Sequence, residues 1–230
     1  MKKIYLDAGH GGKDSGAIGF GLKEKDVVLK IARYVRDYLN SNYSGHTVKM
    51  SRNSDVFLSL KQRTDEANKW GADVFISIHC NASNGKARGY EDYVYNRLKS
   101  GSRSYDLQNY IHDEVSKLFS VNRGKKQANF HVLRESRTNA ILTENGFIDN
   151  KHDNQFLKSD DNLRKLGEAH AKGIARFLQL NPSTESGVMY RVIAGSFQNR
   201  DNAERRKEEL EKKGFDSFID KMNQMWYDII

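Results

Sequence analysis

Two imidazoles and two carboxylates in this sequence have the type and setting for hydrolytic chemistry: His10, Glu24, His79 and Glu144. His10 stands among three glycines in Lys3-Ile-Tyr-Leu-Asp-Ala-Gly-His-Gly-Gly12, where the backbone can bend tightly and leave the ring uncrowded. His79 follows the most apolar run of the chain, and Glu144 follows another. Charge that appears abruptly at the end of a buried strand is costly unless it is used or paired. His10, Glu24 and His79 together fit a catalytic zinc site, with two ring nitrogens, one carboxylate and a position left open for water. Glu144 would then supply a carboxylate beside that water, able to take its proton and hand it to a leaving amine. The spacing is unlike the His-Glu-x-x-His helix, because each group comes from a different element. Residue chemistry alone leaves other readings open. A single histidine in a glycine-rich turn is often structural or merely exposed, and a carboxylate such as Glu24 is favoured at a helix start by the helix dipole whatever else it does.

The elements that must position these groups alternate between strand and helix. The run from Lys3 to Asp7 reads as a buried strand leading into the His10 loop. Val27, Val28, Ile31, Val35, Tyr38 and Leu39 recur at helical spacing over residues 24–39. A strand over 46–50 and a helix over 59–70, carrying Leu60, Arg63, Ala67 and Trp70, come next. Residues 72–78 form the most apolar strand, which delivers His79, Cys80 and Asn81 at its C-terminal end, where the sites of open α/β sheets gather. Alternation puts Ile76 and Ile78 on one face and Phe75, Ser77 and His79 on the other, with Cys80 turned into the core. A strand over 89–95, a helix over 106–119, a strand over 140–143 and a helix over 162–180 complete the pattern. His112 lies off the inward stripe of its helix and takes no role, whereas His170 shares the apolar face of the last helix and reads as a hydrogen-bonded core residue. The alternation predicts an α/β fold, a mostly parallel twisted sheet with helices on both faces.

A chain of 230 residues, 37% of them hydrophobic, has room for one sizeable domain and a small appendage. No apolar run approaches the roughly 20 residues of a spanning helix, and no hydrophobic leader follows Lys2 and Lys3, so synthesis in the cytoplasm without a signal peptide and no membrane partner are expected. Cys80 is the single cysteine, which excludes an internal disulfide or a multi-cysteine zinc site and leaves any metal to histidine and carboxylates. The net charge is +8, and all of the basic excess lies up to Leu180. That balance suits a polyanionic partner such as an anionic cell wall. No basic run carries interleaved aromatics, so no nucleic acid is expected. Lys13-Asp-Ser-Gly16 looks like a serine-protease nucleophile loop, but the matching His and Asp order and an all-β setting are missing.

Asp7-Ala-Gly-His-Gly-Gly12, Glu24-Lys25, Ser51-Arg52, Ser77-Ile-His-Cys-Asn-Ala82 and Leu142-Thr-Glu-Asn-Gly-Phe-Ile148 occur in this order. They resemble the motif set of the zinc-dependent N-acetylmuramoyl-L-alanine amidases of the amidase-3 type, and the likeness runs from Lys3 to about Leu180. The resemblance implies cleavage of the amide between the lactyl group of N-acetylmuramic acid and L-alanine of the peptidoglycan stem peptide. It implies one zinc ion held by His10, Glu24 and His79, with Glu144 as the catalytic glutamate. Ala8 stands where the family usually has proline, which loosens the preset backbone of the loop without removing a ligand. Release by lysis or through a holin-type membrane hole, as for sporulation autolysins or phage endolysins, follows from the expected lack of a signal peptide. Two other readings are a zinc carboxypeptidase acting on stem peptides and a non-catalytic basic protein that binds the wall.

Residues 181–187 contain the only proline and read as a linker between a catalytic domain over 1–180 and a segment over 188–230. Met189 to Phe197, a helix carrying Ala203 and Leu210, and Gly214 to Ile219 resemble the first half of a SPOR domain, a module that binds peptidoglycan strands stripped of stem peptides. A whole module repeats strand-helix-strand twice, and here the sequence ends about where a third strand would begin. Such a half-module is too small to fold alone. It is expected to dock on the catalytic domain or to pair with its equivalent in a second chain, giving a homodimer through the C-terminal segment; a vestigial tail with no binding role is the alternative.

Overall fold

Where apolar residues recur and where capping groups stand decides each element of the chain. The computed structural model describes residues 1–183, 195–215, 217 and 219. It opens with β1 (Lys2–Ala8), a hairpin of β2 (Ile18–Gly19) and β3 (Leu22–Lys23), and α1 (Glu24–Asn42). α1 has no side-chain cap, but Glu24 and Asp26 occupy its first turn, where the helix dipole favours negative charge. β4 (Tyr43–Ser44), β5 (His46–Met50) and α2 (Leu60–Trp70) come next. α2 is bounded by a capping box between Ser59 and Gln62 and by Gly71 at φ 71°. Then come β6 (Val74–Asn81), β7 (Tyr90–Tyr95), α3 (Arg103–Val115), β8 (Asn122–Ala128) and α4 (His131–Arg134). β9 (Asn139–Phe147), α5 (Lys151–Lys158), α6 (Asp160–Leu178), β10 (Asn181–Pro182) and α7 (Arg200–Lys212) complete the order.

Six strands form the main sheet in the order β5-β1-β6-β9-β7-β8. The pairs are parallel except β7 against β9, so the sheet is mostly parallel, with helices on both faces. Side-chain alternation divides the core in two. Ile4, Leu6, Ile76, Ile78, Cys80 and Ile141 face α1, α3 and α6 in the larger cluster. Tyr5, Phe75 and Leu142 face the other way, against Ala67 of α2 and Val132 and Leu133 of α4. Each such fully buried aliphatic or aromatic side chain contributes roughly 1.5–3 kcal/mol.

Several elements differ from the sequence expectation. β6 runs on through Asn81 and β9 through Phe147, so His79 and Glu144 are strand residues that pair with each other rather than loop residues beyond the strands. β8 has no apolar alternation, yet it forms because it is an edge strand; pairing to β7 satisfies one side, Lys125 faces solvent, and Arg123 and Lys126 turn inward to Glu91. α5 buries Asp153, Asn154 and Leu157, a mostly polar set that periodicity does not reveal. His112 is buried, with its Nδ1 2.7 Å from Asp92 Oδ2, which corrects the expectation that it has no role: it pins α3 to β7. Flanking the apolar stripe is enough for burial when a carboxylate inside the fold receives the ring.

The chain divides into two compact units, Met1–Gly187 and Val188–Ile230. In the second, α7 is capped by Asn199 and buries none of its residues. The strands expected over 189–197, 214–219 and 226–230 fall wholly or in part outside the described residues. No helix among the described residues is long and apolar enough to cross a membrane.

His170, fully buried on α6, is the core histidine its position suggested. Its Nδ1 lies 2.8 Å from the Leu166 carbonyl and its Nε2 3.1 Å from Thr143 Oγ1. A carbonyl can only accept, so Nδ1 carries the proton and Nε2 accepts from the hydroxyl. Burial pushes the pKa from 6.5 down to about 4. Between those values the unfolded chain binds a proton that the folded chain refuses, so the stability tied to this neutral ring is complete above about pH 6.5 and lost as pH falls towards 4. The loss is about 3 kcal/mol. His170→Leu should therefore shrink the difference in unfolding free energy between neutral and acidic pH by about that amount in urea titrations. An unchanged pH slope would show that the ring is protonated in the folded state.

Candidate metal centre

β1, paired on both sides, leads out of the C-terminal end of the sheet and turns through glycines, and two arginines hold that turn. His10 sits at φ 59°, a left-handed conformation uncommon for a residue with a Cβ. Backbone bonds between Gly11 and Asp14, 2.8 and 3.1 Å, close the loop. Arg52 donates to the carbonyls of Ala8, Gly9 and Lys25 at 3.0, 2.8 and 2.7 Å. Arg63 donates to Asp7 Oδ1 and to the carbonyls of Ala8 and His10, each at 2.7 Å. Neither arginine reads as a structural clamp from sequence, since helical spacing simply places Arg63 among the positions of α2 that face the sheet.

Three donor groups converge beside this turn. Glu24 Oε1, at the start of α1, lies 3.1 Å from His10 Nε2 and 3.0 Å from His79 Nδ1. One ligand atom from each of the three residues lies within 4.8 Å of the others, a group that could hold a metal ion. Glu24 is buried, and its carboxylate also accepts from the backbone N–H groups of Cys80 at 3.0 Å and Ala17 at 2.8 Å. Burial alone would raise its pKa, but its bonds to His10 and His79 outweigh that and hold it well below the usual carboxylate range. Burial likewise works against protonation of His10, while Glu24 and Asp14 prevail and raise its pKa.

The donor chemistry fits a cation. Asp14 Oδ2 lies 2.9 Å from His10 Nδ1. If Nδ1–H donates to that carboxylate, neutral His10 turns the lone pair of Nε2 towards another carboxylate, that of Glu24. Two acceptors facing each other need a proton or a metal between them. The glycines around the centre leave the space for this approach. A Cβ on Gly9 would stand 2.3 Å from His79 Cε1, and one on Gly16 2.6 Å from Glu24 Oε2 and 2.7 Å from His10 Cδ2.

Glu144 is placed by the sheet. It pairs with His79 on β6 and with Glu91 on β7, so the three side chains rise from one face in one row. Its Oε2 is buried with no hydrogen-bond partner among the described residues. Burial first, then the charges of Glu24 and Glu91, push its carboxyl well above the ordinary range. Asn145 Nδ2 donates to the His79 carbonyl at 3.0 Å, and the β6–β9 register shifts between His79 and Asn81, a bulge that aims the ring. Of the four residues selected from sequence, His10 thus lies on the loop, Glu24 at the start of α1, and His79 and Glu144 side by side in the strand row. Sequence reading passes over Asp14 and Glu91. The signal for Asp14 is its place four residues after His10 in a glycine-rich loop; Glu91 leaves none, because its partners lie on other strands.

Comparison with known proteins finds a family, relatives and solved structures that the chain resembles. The family described as N-acetylmuramoyl-L-alanine amidase matches residues 4–176, and the SPOR domain matches residues 163–226. The chain is similar to a sporulation-specific N-acetylmuramoyl-L-alanine amidase of Bacillus subtilis (strain 168), 44% identical over 220 residues, covering 95% of this chain and 84% of the relative. It is also similar to an endolysin of Bacillus phage SPP1, 45% identical over 183 residues, covering 78% of this chain and 67% of the relative. Among solved structures, the catalytic domain of CwlV, an N-acetylmuramoyl-L-alanine amidase from Bacillus (Paenibacillus) polymyxa var. colistinus, superposes with a TM-score of 0.74 at 34% identity, covering 79% of this chain and 100% of that one.

Gly9 offers a direct test of the donor set. Its N–H bonds to the Ile78 carbonyl at 3.1 Å, which alanine would retain, and the nearest atoms an added methyl would meet belong to the His79 ring. Gly9→Ala should leave the metal-free protein folded and lower metal affinity by at least about tenfold, as displaced or misoriented ligands do. Competition with a chelator of known affinity measures it. Unchanged affinity would remove His79 from the ligand set.

Proposed function

The chain belongs to the N-acetylmuramoyl-L-alanine amidase family, a peptidoglycan hydrolase, and we propose that it works with one zinc ion held by His10, Glu24 and His79 and with Glu144 as its proton carrier. The observation that carries this reading is the convergence of two imidazoles and a carboxylate beside a buried glutamate oxygen that has no partner of its own. Zinc in this position would polarise the scissile carbonyl and lower the pKa of the attacking water. The other steps fall to the chain's residues. Asp14 fixes the tautomer and direction of the His10 ring. Glu144 takes a proton from the water as its oxygen bonds to the carbonyl carbon. The carbon–nitrogen bond then breaks as Glu144 returns the proton to the nitrogen, leaving the lactyl carboxylic acid and the amine of L-alanine, which share the water's second proton as carboxylate and ammonium. Family membership sets aside the carboxypeptidase and the non-catalytic wall-binding readings.

Glu144→Gln preserves shape and removes the proton acceptor. It should keep its zinc and lose about 10²–10⁴-fold in rate. Metal analysis of the purified variant and mass spectrometry of digested walls check both parts. New L-alanine amino termini should appear with the wild-type protein and be nearly absent with the variant. A metal-free Glu144→Gln would mean that a ligand has been taken for the base.

We further propose that residues 1–180 are the catalytic domain, 181–187 a linker and 188–230 a peptidoglycan-binding segment. The SPOR match begins at residue 163, but Leu163, Leu166, Ile174 and Phe177 of α6 are buried in the larger core cluster, which supports counting that helix with the first domain. The basic catalytic domain is suited to anionic wall polymers, and release at lysis of the producing cell belongs to the same proposal. A unit this small, with a helix that buries none of its residues, calls for a partner. The partner proposed is the same segment of a second chain. Sedimentation of the whole protein should then give a dimer, and protein truncated after Leu180 a monomer. Monomers in both cases across a wide concentration range would refute the pairing.

A further inference from the structure

Beyond Glu144 the row of charged groups continues across the sheet, and the proposed mechanism does not use it. Glu91, buried on β7, is the cross-strand neighbour of Glu144. Its Oε1 accepts from Asn81 Nδ2 and from the Tyr93 hydroxyl, both at 2.8 Å. Its Oε2 accepts from Arg123 Nε at 2.7 Å and from Lys126 Nζ, both reaching in from β8. Burial by itself would raise the pKa of Glu91, and the bonds from Lys126, Arg123 and Tyr93 overcome it and lower it.

One carboxylate with two neutral donors does not require two cations, so the cluster carries an excess of positive charge. Both cations are held in place. The Arg123 guanidinium lies 4.8 Å from the centre of the Phe147 ring and Lys126 Nζ 5.7 Å from that of Tyr93. Their side chains are 33% and 35% exposed. The two terminal nitrogens of Arg123 have no partner among the described residues. A half-exposed, preorganised guanidinium beside an ammonium is the arrangement that takes up a carboxylate.

We propose that Arg123 and Lys126 bind a free carboxylate of the stem peptide and so set the direction in which substrate lies across the sheet, with Glu91 as the positioning residue that holds both cations. This rests on the reading of Glu144 as proton carrier. Distance agrees with it. Neighbouring strands are about 4.8 Å apart, so β8 lies roughly 10 Å from Glu144, and an extended peptide advances about 3.3 Å per residue. Side chains reaching inward from β8 therefore meet a carboxylate one or two residues beyond the scissile nitrogen. The muramoyl side of that bond offers neutral sugar hydroxyls and acetamides, whereas the peptide side carries the anions. The peptide thus runs from Glu144 towards β8 and the glycan lies on the opposite side of the centre.

Intact sacculi, either untreated or with stem carboxylates capped as methylamides by carbodiimide coupling, provide the test. Wild-type protein should lose about tenfold or more in kcat/KM on capped walls, chiefly through KM, as expected for one charge-assisted contact. Arg123→Gln with Lys126→Gln should lose a similar factor on untreated walls and nothing further on capped ones. The single variants each leave Glu91 one cation, so they carry the comparison if the double variant is unstable. Equal rates of wild type on both walls, or variants that lower kcat by one factor on both, would overturn the proposal. Glu144→Gln assayed alongside keeps the two readings apart: if it remains active, the proton-carrier assignment fails whatever the ratio between walls.

Discussion

The buried contact between Arg63 and Asp7 is the constraint on which the rest of the centre depends. Asp7 is inaccessible at the end of β1, and Arg63 reaches it from α2 with its guanidinium almost wholly enclosed. An isolated carboxylate in that position would be strongly unfavourable, and the arrangement answers this by using every side of both groups. Ser77 donates to the second oxygen of Asp7 at 2.8 Å, and Arg63 spends its remaining donors on the carbonyls of Leu58, Ala8 and His10. The ion pair therefore ties two strands and a helix to the loop that carries His10. Breaking such a pair by deleting one partner costs about 3–5 kcal/mol, because a buried charge is left behind.

The side chains around the centre show how neighbouring acidic groups can be held in different states. Glu24 is kept ionised by two imidazoles and two backbone donors, and Glu91 by an arginine and a lysine. Glu144 stands between these environments with no hydrogen bond to its inner oxygen, and its carboxyl is pushed towards the neutral form. Groups whose surroundings drive their pKa values apart mark a division of labour between acid, base and ligand. Between Glu144 and Glu91 the strand ladder itself produces that division, since neighbours on one row share a face while their partners come from different directions.

α6 is the last helix of the first unit among the described residues. It buries an apolar face against α1 and α3, carries His170 to the back of β9, and ends at Gln179 in a left-handed turn. β10 then pairs with β4, so the chain is fastened to the first unit as far as Pro182.

Sequence by itself determined the order of the main apolar strands and helices, the alternation that divides the core, and the four candidate groups of the proposed centre. These depend on local periodicity, on glycine around a histidine, and on charge at the ends of apolar runs, all of which are written within a few residues of one another. It also placed Cys80 and His170 in the core, as the structure does. Only the tertiary structure decided that β7 runs against β9, that the polar segment Asn122–Ala128 is an edge strand, and that His112 is buried on Asp92. The partners of Asp7 and Glu91 and the neighbours of Glu144 were likewise settled by strand order, because these side chains meet across long separations, 56 residues between Asp7 and Arg63 and 32 between Glu91 and Arg123. A charged residue looks alike in sequence whether it is solvated, paired or left without a partner. Which of these it becomes depends on the neighbours that packing brings to it.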